Sequence, residues 1–160
     1  MIEGDDFTAR FGHLFEHSPW VAERAAENAP FADADSLHAA LMAVVAQASE
    51  AEQLALIRAH PELAAKSVEL TEASEGEQKG AGLKALSAEE FARFGRLNAA
   101  YGAKFGFPFI ICVRMHDKTG IFSAFEQRLG HDAAEERARA LREIGFITRL
   151  RLNDLLGVTA

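Results

Sequence analysis

Apolar residues recur along most of this chain at helical rather than strand spacing. Leu37, Leu41, Val44, Val45 and Ala48 form one stripe at three- and four-residue intervals, which predicts an amphipathic helix with Ser36 as its cap. Upstream, Ser18 followed by Pro19 marks another helix start, through WVAERAAEN and stopping before Pro30. Residues 50–59 predict a third helix with Leu54 and Ile57 inward, ending at Ala59 or His60 because Pro61 disfavours the α region before it. From Thr71 to Leu83 the pattern is helical but carries Gly76, Gly80 and Gly82, and each interior glycine costs roughly 0.5–1 kcal/mol. Ser87 and Glu90 have capping-box spacing and open a helix to about Lys104 with Phe91, Phe94 and Leu97 on one face. Residues 119–129 predict a helix ended by Gly130. Asp132 then caps a long final helix with Leu141, Ile144, Ile147, Leu152 and Leu155 inward.

FGFPFIICV (105–113) breaks this pattern. It is short, aromatic and β-branched, and reads as buried extended chain. It has no partner strand in the sequence, so no large sheet is expected. The predicted fold class is all-α: a single compact domain over residues 1–160 of about seven to eight helices, with this one extended segment.

Composition narrows the function classes. Hydrophobic residues make up 49% of the chain, enough for a real core and too many for a disordered polymer. Lys and Arg number 17 against 24 Asp and Glu, a net charge of −7. That sign argues against a nucleic-acid partner and against a polybasic membrane-surface protein. The lone cysteine, Cys112, excludes an internal disulfide framework and a multi-cysteine metal site. The acidic N-terminus MIEGDDFTAR predicts no secretory signal, and no run approaches the ~18 apolar residues of a membrane helix. A reducing cytoplasm is the expected compartment.

Several polar residues are candidates for chemistry. His13 and His17 have one-face helical spacing with Glu16 between them, but the helix break at Ser18 and the missing third ligand argue against a metal site. His38, His116 and His131 read as solvated, and Cys112 as a small hydrophobe among apolar neighbours. His60 is different, because it projects from a helix end directly before Pro61. It could exchange protons near neutrality or simply interact with the helix dipole. Ser74, Glu77 and Gln78 span an arc of roughly 100° on one helical face, either a solvated face or a polar cluster that nearby glycines let a ligand approach. The irregular backbone of FGFPFI carries N–H and C=O groups that something must satisfy, and a polar ligand is one possibility. Arg151 lies between leucines. It either snorkels to solvent or is buried and needs an anionic partner.

Taken in order, EHSPWVAERA, RAHPELA, SEGEQKGAGL, LSAEEFARFGRLNAAYGAKFGFPFIICVR and ITRLRLNDLL resemble the family of 2-oxo-4-hydroxy-4-carboxy-5-ureidoimidazoline (OHCU) decarboxylases of urate degradation. The likeness runs from about Phe7 to Leu156. It implies an all-helical, cofactor-free carboxy-lyase without a metal, commonly a homodimer, that makes (S)-allantoin and carbon dioxide. By the same resemblance the catalytic histidine falls on His60 and the catalytic glutamate on Glu77. Substrate-binding positions fall on Pro61, Ser74, Gln78, Phe107, Phe109, Ile110, Ile111 and Arg151, with Arg149 the neighbouring alternative for the arginine. The C-terminal GVTA lacks a peroxisomal tripeptide, which points to a bacterial cytoplasmic enzyme. A non-catalytic helical module that binds a small metabolite or a protein would be expected to have lost His60 or Glu77, and both are present. Because the implied substrate is an anion and the chain is acidic, the pocket must be locally non-acidic, with His60 and Arg151 offsetting Glu77.

Overall fold

Side-chain caps set most of the helix starts in a computed structural model that describes residues 1–64 and 70–158. Eight α-helices occur among the described residues: α1 (Phe7–Phe11), α2 (Trp20–Ala25), α3 (Ala34–Gln47), α4 (Glu50–Arg58), α5 (Glu72–Gly80), α6 (Ala88–Phe105), α7 (Lys118–Arg128) and α8 (Ala133–Leu156). Ser49 with Glu52 and Ser87 with Glu90 close reciprocal capping boxes on α4 and α6. Thr71 and Asp117 accept backbone N–H groups at the starts of α5 and α7, and Asp132 accepts from Glu135 N at 2.8 Å ahead of α8. Of the three expected serine caps, Ser87 is observed and the other two are corrected. Asp33, not Ser36, caps α3; Ser36 is the third helical residue and bonds back to it. Ser18 donates its hydroxyl to Glu16 O at 2.7 Å instead of capping α2, which is entered through Pro19 with no side-chain cap. No single described helix is long and apolar enough to cross a membrane.

The chain divides into two compact units. The first comprises Met1–Ala59 with Gly145–Ala160, of which Thr159 and Ala160 lie outside the described residues. Phe7, Phe11, Val21, Leu37, Leu41, Val45, Leu56, Ile57 and Leu152 are buried there, and an isolated antiparallel bridge joins Ile2 to Phe31. Leu155, expected inward, is 42% exposed, because the apolar stripe of α8 ends one turn early. His38 is half-buried rather than solvated. Its Nε2 lies 3.2 Å from Thr148 Oγ1, and burial, aided by Arg149, lowers its pKa.

The second unit, His60–Ile144, surrounds the extended segment. At Gly106 the backbone takes φ +76°, a left-handed turn that glycine makes without strain; it ends α6 and sends the chain into Phe107. Phe109 stacks on Phe125 at 3.7 Å between ring centroids and meets Tyr101 edge-on at 5.3 Å. No strand pairs with the segment among the described residues. Its backbone is instead held by buried charges. Arg128 Nη1 donates to Ile110 O at 2.6 Å, and Cys112 N donates to Glu143 Oε1 at 3.0 Å. Ile110 O, one of the groups that the sequence left open to a ligand, is thus satisfied internally.

Arg128 is the hub of a buried network. Its Nε lies 2.8 Å from Glu136 Oε1, and its guanidinium sits over the Phe109 ring at 4.3 Å. Tyr101 donates its hydroxyl to the same Glu136 oxygen at 2.6 Å. His131 Nδ1 meets the other oxygen at 2.9 Å, so His131 is not simply solvated. Burial by itself would raise the Glu136 carboxyl pKa. Its contacts with Tyr101, His131 and Arg128 outweigh that and hold it below the ordinary carboxylate value.

Candidate active site

Three chemistry-bearing segments fall in the second unit. His60 is buried just past the C-terminal end of α4, whose last helical residue is Arg58. The proline that follows keeps the chain from continuing as helix. The chain then turns through Pro61, Glu62, Leu63 and Ala64, where Ala64 adopts φ +57°. Such a backbone is uncommon for alanine and persists only when surroundings fix it. Two side chains fix this one: Asn98 Nδ2 donates to Leu63 O at 2.9 Å, and Ala64 N donates to Gln78 Oε1 at 3.2 Å.

Helix α5 supplies the expected polar face. Ser74 and Gln78 are buried and Glu77 is half-buried, so the arc is not a solvated surface. The helix stops because Gly82 takes φ +81° and Leu83 N bonds back to Gln78 O at 2.9 Å, a left-handed C-terminal cap. A Cβ at Gly76 or Gly80 would meet nothing within 4 Å among the described residues, so no described backbone crowds against them and the space is open to a ligand.

α5 also packs against the short 3₁₀ turn Val113–Met115 that ends the extended segment. Burial, with the Glu143 and Glu77 carboxylates adding to it, pushes the Cys112 thiol up to about 11. The charge of Glu77 is therefore felt at the end of FGFPFIIC. Phe107, Phe109, Ile110 and Ile111 are all buried. The turn after His60, the Ser74–Glu77–Gln78 face and the Phe107–Ile111 segment thus belong to one connected unit.

Arg151 lies in the first unit. It is 8% exposed. Its Nη2 is 2.8 Å from Glu16 Oε1, and its Nη1 donates to Leu14 O at 3.1 Å. The buried alternative is the observed one, and Glu16, itself 1% exposed, is the anionic partner. Arg149 instead pairs with the exposed Asp35 at 2.6 Å and bonds Asn153 Oδ1 at 3.0 Å. His13 and His17 do not share a helical face, because α1 ends at Phe11 and His17 has φ +46°. Among the described residues no three His, Cys, Asp or Glu side chains converge as metal ligands do.

Asn98, Arg128, Glu136 and Glu143 were not singled out in the sequence. Each nevertheless falls on an apolar helical stripe: Asn98 with Phe94, Tyr101 and Phe105; Arg128 with Ile121 and Phe125; Glu136 and Glu143 with Ala140 and Ile147. A polar residue at a core register position is the signal that would have found them.

Comparison with known proteins agrees with the resemblance. Residues 2–153 match the sequence model of the family described as OHCU decarboxylase. The chain is similar to a 2-oxo-4-hydroxy-4-carboxy-5-ureidoimidazoline decarboxylase of Haloferax volcanii, with 43% identity over 96% of this chain and 90% of that protein. A protein of the same description from Amia calva is 39% identical over 95% of this chain and 89% of its own length. Among solved structures, one titled as (S)-allantoin synthase superposes with a TM-score of 0.75 at 30% identity, covering 92% of this chain; this chain spans 49% of that longer one. A second, titled as OHCU decarboxylase in the presence of (S)-allantoin, shares the fold at a TM-score of 0.73 and 21% identity, over 96% of this chain and 99% of its own.

Proposed function

The chain belongs to the OHCU decarboxylase family, and from that premise we propose how its own residues release carbon dioxide from 2-oxo-4-hydroxy-4-carboxy-5-ureidoimidazoline to give (S)-allantoin. The substrate carries a carboxylate and a hydroxyl on one ring carbon, and the adjacent ring carbon is an imine. When the bond to the carboxylate breaks, its electron pair forms a double bond to the adjacent carbon. The imine pair moves onto nitrogen, which takes a proton. The resulting enol loses its hydroxyl proton, and the adjacent carbon gains a proton on one face. The substrate therefore contains its own electron sink, which makes a pyridoxal or metal cofactor unnecessary for this step.

His60 is the acid–base in this reading, with Glu77 orienting it or accepting the hydroxyl proton. Proton handling of this kind contributes typically ~10²–10⁴-fold. Ser74, Gln78 and the Pro61 turn, together with the backbone at Phe107, Phe109, Ile110 and Ile111, would hold the ureido and ring amides. The family resemblance assigns Arg151 to the substrate. Decarboxylation drains charge from the carboxylate, so a cation gripping that group would favour the ground state over the transition state. An arginine already paired with Glu16 is better suited to donate to ring or ureido carbonyls, where charge develops. A cytoplasmic homodimer is the form we take to be active.

The observation that carries this reading is the Ala64 N–H bond to Gln78 Oε1, which ties the turn after His60 to the helix that bears Glu77. The test is a chiral assay of allantoin made from freshly generated substrate. The native protein should accelerate turnover and give the S product. His60→Asn should lose at least ~10²-fold in kcat and yield racemic allantoin at the background rate. Near-normal turnover by that variant removes His60 from catalysis. Binding of the substrate without turnover by the native chain would make it a metabolite-binding module instead.

A further inference from the structure

Asn98 is buried in the middle of α6, between Phe94 and Tyr101 on the core-facing stripe. Asparagine is a poor helix former, and burying its amide is costly unless the amide is used. Its Nδ2 is used, donating to Leu63 O at 2.9 Å across 35 residues of chain, while its Oδ1 has no hydrogen-bond partner among the described residues. A polar group held at a core position for a single long-range bond implies that this bond matters. What it holds is the turn that begins at His60 and strains at Ala64.

We propose that Asn98 is a positioning residue for the decarboxylation: it fixes the Leu63 carbonyl, and through it sets where the His60 imidazole stands. This rests on the reading of His60 as the acid–base. Among the described residues two side-chain bonds clamp the turn, one at the Leu63 carbonyl and one at the Ala64 N–H. Gln78 provides the second and is itself a proposed substrate contact, so Asn98 is the clamp that can be removed without touching substrate. Displacing a catalytic group by about 1 Å can cost ~10²-fold in rate, so loss of this bond should appear in kcat more than in KM.

The test compares three variants on freshly generated substrate, with melting temperature followed in parallel. Asn98→Asp is nearly isosteric but puts an acceptor against an acceptor. Asn98→Ala deletes the amide and replaces it with the best helix former, which limits any loss of folding. Ile121→Val trims a fully buried residue of α7 that plays no part in the site, and serves as the stability reference. The expected result is a fall in kcat of ~10–100-fold in both folded Asn98 variants with KM changed less than about threefold, while Ile121→Val keeps its kcat at a comparable melting temperature. A fall in kcat smaller than about fivefold in a folded Asn98 variant overturns the proposal. So does an equal loss in Ile121→Val, or the failure of both Asn98 variants to fold, which would make the residue part of the scaffold. If His60→Asn is itself active, the reading of the site fails. If His60→Asn is dead and the Asn98 variants are not, only this proposal does.

Discussion

Arg151 and Glu16 form a buried ion pair, Nη2 to Oε1 at 2.8 Å, with both side chains shut away from solvent. An isolated ion in the interior costs several kcal/mol, and the pairing offsets that cost for both groups. Glu16→Gln keeps the shape but removes the negative charge that faces Arg151 Nη2. The expected cost is about 3 kcal/mol, or roughly 6–12 °C in melting temperature for a chain of this size. A denaturant titration checks it, and a loss under about 1 kcal/mol would mean that Glu16 is not the principal counter-charge.

The same pairing bears on catalysis. Arg151→Lys retains a cation but loses the planar fork that serves Glu16 and Leu14 at once. We expect kcat/KM for fresh substrate to drop by ~10-fold or more, in line with loss of one charge-assisted hydrogen bond. Unchanged kcat/KM would remove Arg151 from substrate binding.

Acid should act on the second unit through Glu136. Its folded pKa is held below the usual carboxylate value, so the folded state binds the proton less readily than the unfolded chain does. The stability this provides is fully present above the unfolded value of 4.5 and is lost as pH falls through the lower folded one. Glu136→Gln should therefore be less stable at neutral pH by about 3–5 kcal/mol, because Arg128 loses its partner. Its stability should also fall less steeply below pH ~4.5 than that of the native protein. Equal slopes for the two proteins would show that other carboxylates govern acid unfolding.

Gly76→Ala should stabilise. The glycine is in the interior of α5, and a Cβ there meets nothing within 4 Å. The gain should be about 0.5–1 kcal/mol from helix propensity and the reduced freedom of the unfolded chain, read as a rise of roughly 1–4 °C in melting temperature. If activity falls while stability rises, the open face of α5 is needed by a ligand rather than by the fold.

Local signals carried much of the fold. The boxes Ser49–Glu52 and Ser87–Glu90 satisfy orphan backbone groups within four residues, so helix starts at these points are written in adjacent sequence. At α3 the expected Ser36 cap has a competitor equally close: Asp33 sits where its carboxylate reaches the Ser36 N–H at 2.8 Å. The five-residue helix α1 went unread because so short an element shows no periodicity. The clamps Asn98–Leu63 and Arg128–Ile110 join residues 35 and 18 positions apart, and only the folded chain brings such partners together. For the site, motif resemblance supplied the residues, whereas the geometry supplied what holds them. Composition could not have distinguished the buried Ser74 and Gln78 from a hydrated helix face.

Cys112 has a consequence for experiment. With its thiol at about 11, roughly one molecule in ten thousand carries the thiolate at pH 7, and the sulfur is also walled off from reagents. Alkylation of the native protein should thus be limited by how often the chain around it opens. Because the adjoining N–H is tied to Glu143 and the segment to Arg128, the rate of maleimide labelling serves as a clock for fluctuations of the Phe107–Cys112 backbone. Ligand that stiffens that backbone should slow the clock, and a thiol that reacts at the speed of free cysteine would show the segment to be open most of the time.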